Sequence, residues 1–167
     1  TADGTYDMKA FGQAFRGIGA LYAATDNQCS TLRGNFDGQG STISYALKTL
    51  RLDYSDSTIS PASLNRRGLF NSIYGYQDTN CYETNGFNIQ NLNLQASVNA
   101  DFKDKAGSQV CALESSGILA GYTKAARLSI QNIMLLEETK ITTGSQTRKA
   151  DNIYCGGLIG YATGSQN

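Results

Sequence analysis

Gly156-Gly157-Leu158-Ile159-Gly160-Tyr161 is a glycine-framed apolar turn, and its reading decides the fold because the chain repeats it. Earlier versions are Gly117-Ile118-Leu119-Ala120-Gly121-Tyr122 and Gly68-Leu69-Phe70-Asn71-Ser72-Ile73-Tyr74-Gly75. Between them run Ile89-Gln90-Asn91-Leu92-Asn93-Leu94 and Ile130-Gln131-Asn132-Ile133-Met134-Leu135. The Ile-Gln-Asn phrases start 41 residues apart, at 89 and 130, and the last two turns 40 apart, at 117 and 157. A fixed period of this length marks stacked units, none able to bury its apolar face without a neighbour.

The expectation is therefore all-β: a right-handed parallel β-helix, or solenoid, with each period supplying about two coils. A β-sandwich is second, because Asn-Gly occurs once, at Asn85-Gly86, and tight hairpin turns are scarce. Gly68, Leu69, Phe70, Gly117, Gly121, Gly157 and Gly160 read as repeat scaffold, glycine letting backbones approach at the bends. Asn91 and Asn132 are expected to lie one above the other as an amide ladder. Apolar–polar alternation over Thr42–Tyr45, Leu47–Leu52, Ile89–Val98 and Leu128–Leu135 predicts half-buried strands. Segments 53–67, 76–88 and 99–116 are polar and read as outer loops.

Residues 7–24 have a different period. Met8, Phe11, Phe15, Ile18, Leu21 and Tyr22 recur at three- and four-residue steps, which predicts an amphipathic helix interrupted by Gly12, Gly17 and Gly19. Such a helix would make residues 1–28 a cap or arm on a stack spanning 29–167.

From about Asn35 to Ser165 the chain resembles the GLUG repeat family, named for its Gly-Leu-any-Gly phrase. Phe36-Asp37-Gly38-Gln39-Gly40-Ser41-Thr42-Ile43 is similar to the family's leading phrase. Gly68-Leu69-Phe70 is similar to its turn, and residues 89–94 and 130–135 to its strand. Members are large secreted and surface-attached microbial proteins, adhesin-like ones among them. The resemblance implies a β-solenoid surface module without catalysis of its own, whose motif residues are scaffold. Asn71 stands where the family often has glycine, and the second copy reads Gly-Ile-Leu-Ala-Gly.

Composition narrows function. Fourteen basic against fourteen acidic residues, with 17% charged, lack the basic excess that a nucleic-acid surface uses to displace counterions. Histidine is absent, which removes the commonest general base and metal ligand. No apolar run approaches the roughly 20 residues of a membrane span. The start, Thr1-Ala2-Asp3-Gly4, is polar, so no signal peptide is visible. Cys29, Cys81, Cys111 and Cys155 lack zinc-type spacing and suggest disulfides in an oxidising compartment. Repeat register favours Cys111 with Cys155 and leaves Cys29 with Cys81, one of three possible connectivities.

Sites for chemistry are few. Asp53 with Asp56, or Glu137 with Glu138, could form a carboxylate pair, but adjacent strand residues point to opposite faces and solvated charges are the simpler reading. Asp101, Lys103, Asp104 and Lys105 imitate a lyase set only superficially. Arg66-Arg67 reads as a solvent-facing pair, with contact to an anionic glycan as the functional option. Tyr74, Tyr76, Tyr122, Tyr154 and Tyr161 could line a strip for stacking on sugars, or cover coil edges. The last copy of the turn is followed by no third Ile-Gln-Asn strand. The expectation is an extracellular or cell-surface structural or adhesive module, not an enzyme and without a cofactor. It would associate head to tail, with a carbohydrate-binding adhesin domain as the alternative.

Overall fold

The computed structural model describes residues 5–7, 17–18, 22–23, 35–47, 50–52, 64–75, 87–99, 102–104, 113–125, 128–142 and 153–163. Among these the protein is all-β, with parallel pairing in every sheet and one antiparallel addition.

The spine is a 13-residue strand, β8 (Phe87–Asn99). One flank of β8 carries β3 (Phe36–Asp37) and β4 (Thr42–Leu47); the other carries β12 (Leu128–Leu135) and β13 (Lys140–Thr142), all parallel to it. β1 (Thr5–Asp7) adds to the outer edge of β4, giving the order β1-β4-β8-β12. Ile89 pairs with Ile130 and Gln90 with Gln131, so the two repeated phrases lie in register. Burial along β8 picks out Ile89, then Leu92, Leu94, Ala96 and Val98. A two-residue alternation would break between 89 and 92, and Asn91, with φ 55°, takes up the extra residue and resets the phase.

A second sheet stacks β14 (Ile153–Cys155), β10 (Leu113–Ser116) and β6 (Leu64–Arg67) in parallel. β2 (Tyr22–Ala23) closes it antiparallel to β6. A third stacks β15 (Ile159–Thr163), β11 (Ala120–Ala125) and β7 (Phe70–Gly75), with Ile18 bridged to Phe70 in parallel. A short pair, β5 (Leu50–Leu52) with β9 (Phe102–Asp104), completes the set. The chain visits the sheets in a fixed order: β6, β7, β8, then β10, β11, β12, then β14, β15. Each period thus contributes one strand per sheet, a single layer, where two coils were expected.

The first and third sheets and the turns share one core. Leu94, Ile89, Leu92 and Val98 of the first meet Phe70, Ile73 and Ala120 of the third and Leu69, Ile118 and Leu119 of the turns. Phe36 packs edge-on to Phe70 at 5.3 Å between centroids. The Tyr45 hydroxyl, fully buried, donates to the Ile118 carbonyl and ties β4 to the second turn.

Three expectations need correction. Of the helix expected over 7–24 only Asp7, Gly17, Ile18, Tyr22 and Ala23 are described, and none of these is helical; the rest of it lies outside the described residues. Gly17 has φ 88°, Ile18 bridges to Phe70 and Tyr22–Ala23 is strand. Ile18 donates its backbone N–H to the Leu69 carbonyl and accepts from the Asn71 N–H, which holds it in the third sheet. Segments 53–67, 76–88 and 99–116 are also not wholly outer loop, since they run into β6, β8 and β10. Lastly, Arg66 and Arg67, at the end of β6, are each 2% exposed and so do not face solvent. Arg66 lies 4.1 Å over the Tyr122 ring and donates to Ser72 Oγ at 3.2 Å, while Arg67 donates to the Asn99 carbonyl.

Candidate functional site: the open end of the strand stack

Layer count places the site. Along each sheet the register runs Thr5–Thr42–Asn93–Met134, Tyr22–Asn65–Glu114–Ile153 and Ile18–Phe70–Ala120–Ile159. Each sheet is therefore four layers deep. The sheets are not level, however. β14 and β15 follow β12 along the chain and stand one layer beyond it, and β1 stands one layer beyond β2 and Ile18 at the opposite end. Among the described residues the outer edge of β12 carries no strand.

That edge exposes apolar surface that inner layers bury. Leu94 is fully buried, whereas Leu135, its register partner on β12, is 43% exposed. Leu92 gives way to half-buried Ile133, Leu119 to half-buried Leu158 and Phe70 to half-buried Ile159. Ile18 is 43% exposed at the far end of the third sheet, and Met134 joins Leu135 on β12 at 58%. These are the large exposed hydrophobics of the described residues, and they fall on end layers.

Two side-chain columns run to the same end. In the first, Asn132 Nδ2 donates to Asn91 Oδ1 at 3.0 Å, and Asn91 Nδ2 donates to Asp37 Oδ1 at 3.1 Å. Gln90 Nε2 and the Gln39 backbone N–H also donate to Asp37, each at 2.9 Å. These donors, Gln90 foremost, hold the Asp37 carboxyl below its ordinary value. In the second column Tyr122 and Tyr161 lie 5.6 Å apart and Tyr161 and Tyr154 4.5 Å apart, tilted by 33° in both pairs. Of the tyrosines expected to line a strip, Tyr122 is 4% exposed, while Tyr154 and Tyr161 are half-buried at the end.

The glycines locate the turns more finely than the sequence did. Added Cβ atoms would fall 2.3 Å from a backbone atom at Gly117 and Gly121, 2.5 Å at Gly160 and 2.8 Å at Gly68. The register sets Gly117 beside Gly156 and not beside Gly157. A Cβ on Gly156 would reach 1.8 Å from the Ile159 carbonyl, while one on Gly157 meets nothing within 4 Å. The 40-residue spacing from Gly117 predicts Gly157 as the turn glycine; the register puts Gly156 in that place.

Cys155 is exposed at the end of β14, beside Ser116 in register; Cys29, Cys81 and Cys111 lie outside the described residues. So do Asp53, Asp56, Asp101, Lys105 and Tyr76. Glu137 and Glu138 occupy an exposed turn, with Glu138 at φ 66°. Among the described residues no cluster of three or more acidic, thiol or imidazole groups could hold a metal ion, and no helix is long and apolar enough to cross a membrane. No protein-family profile, curated protein or solved structure matches the chain.

Proposed function

We propose that the protein is a parallel β-solenoid of the GLUG type, a structural or adhesive module at a cell surface or outside the cell, that works by stacking end to end. The observation that carries this reading is the apolar surface that the end strands expose among the described residues. Leu135 at one end and Ile18 at the other expose apolar area at positions whose register partners Leu94 and Phe70 are buried, and Met134 is exposed beside Leu135. Parallel strand edges at both ends offer backbone donors and acceptors to match. A head-to-tail contact uses two different surfaces and propagates as a fibre unless its rotation closes. Sedimentation velocity across a concentration series tests it. Masses should grow with concentration, and Leu135→Glu should hold the protein monomeric; wild-type monomers at every concentration would sink the reading.

The second reading is a carbohydrate-binding adhesin domain, favoured by the half-exposed Tyr154–Tyr161 pair. Glycan-array signal lost in both Tyr154→Ala and Tyr161→Ala would support it over self-assembly.

A further inference from the structure

Tyr154 and Tyr161 stand on either side of the Gly156-Gly157 turn, in the middle of β14 and of β15. Their ring centroids lie 4.5 Å apart, tilted by 33°, at the close limit for packed aromatic pairs. Tyr161 is also the register partner of Tyr122, whose ring is 5.6 Å away, and the Arg66 guanidinium lies 4.1 Å over the Tyr122 ring. A buried cation therefore stands at the inner end of a run of phenol rings. The chain has no tryptophan, so its tyrosines are the aromatic side chains that give up an electron most readily. Taking an electron from Tyr122 leaves positive charge beside the guanidinium, which opposes it. Oxidation is thereby directed to the outer pair.

We infer that Tyr154 and Tyr161 form a site of oxidative coupling, joined by a covalent bond when hydrogen peroxide acts on them through a haem peroxidase. Each phenol gives up one electron and one proton, and one peroxide is reduced to two waters. The two radicals form a carbon–carbon bond between the ring carbons beside their hydroxyls. The hydrogen that each of those carbons carried moves to its oxygen, restoring two phenols. Rings joined in this way keep almost the separation seen here, so they turn from stacked to side by side without their centres parting. Cys155 follows Tyr154, but adjacent strand residues point to opposite faces, which keeps its sulfur away from the pair. The link ties β14 to β15 across the glycine turn and restricts the unfolded chain as a disulfide does, yet reductants do not reverse it. It lies within one copy and is independent of end-to-end stacking.

Peptide mapping of dilute protein treated with a peroxidase and hydrogen peroxide tests the site. The tryptic peptide starting at Ala150 carries both tyrosines. It should be lighter by two hydrogens, fluoresce as dityrosine and give no fragments from backbone cleavage between Tyr154 and Tyr161. Tyr154→Phe and Tyr161→Phe should each abolish this product, and Tyr122→Phe should retain it. Persistence of the product in either outer variant would overturn the inference. So would coupling that joins other tyrosines or separate chains instead, or hydroxylation of Tyr154 and Tyr161 without a link.

Discussion

Asn132 donates its side-chain amide to the side-chain carbonyl of Asn91 at 3.0 Å, joining equivalent positions of two repeats. Both residues have left-handed backbone, φ 51° and 55°, a conformation that asparagine tolerates better than most residues. Replacing Asn91 by alanine removes bonds to both neighbours and strains the turn. Loss of about 2 kcal/mol is expected from urea unfolding. Asn91→Gly should recover the backbone share, and equal losses for the two variants would contradict the assignment.

Asp37 ends the ladder as an acceptor of three hydrogen bonds. Its folded-state value lies below 3.8, so the carboxylate's contribution is complete above that value. It is lost as pH falls through the lowered folded value. An NMR titration should find the Asp37 midpoint below that of an unstructured aspartate. Asp37→Asn should flatten the stability change in the acid range, and an unchanged slope would refute the sign.

Gly156 and Gly157 are adjacent and should behave oppositely. Gly156→Ala forces a backbone contact and should cost at least about 2 kcal/mol; Gly157→Ala should fall within about 0.5 kcal/mol of wild type. Thermal unfolding of the two variants is the check.

Leu94 and Leu135 share a register position but not a burden. Leu94→Ala should cost about 3 kcal/mol as a core cavity. Leu135→Ala should cost under about 1 kcal/mol in dilute protein, yet weaken assembly where Leu94→Ala does not act specifically. Denaturant midpoints paired with sedimentation separate the two effects.

Much of this was legible in the sequence because period and side-chain type coincide. Ile89 over Ile130 and Asn91 over Asn132 follow from a 41-residue spacing and need no knowledge of contacts. The N-terminal strands were illegible for a physical reason. Ile18 and Tyr22 fall at helical spacing, and only partners at Phe70 and Asn65, far along the chain, draw them into sheets. A signal was present in Gly17-Ile18-Gly19-Ala20-Leu21-Tyr22, close in composition to Gly117-Ile118-Leu119-Ala120-Gly121-Tyr122. The arginines misled because Arg66-Arg67 reads as charge, whereas Leu64, Leu113 and Ile153, each three or four residues before a glycine turn, mark the strand containing them. The end site was half legible: the repeat was visible, but the layer stagger required the register.

Electron diffraction or helical reconstruction of the assembled protein tests the central claim most directly. Strands about 4.8 Å apart and four layers per copy predict a subunit repeat of about 19 Å along the fibre axis, with strands perpendicular to it. Fibres whose subunit repeat does not match a four-layer step, or dispersed single copies at every concentration, would contradict it.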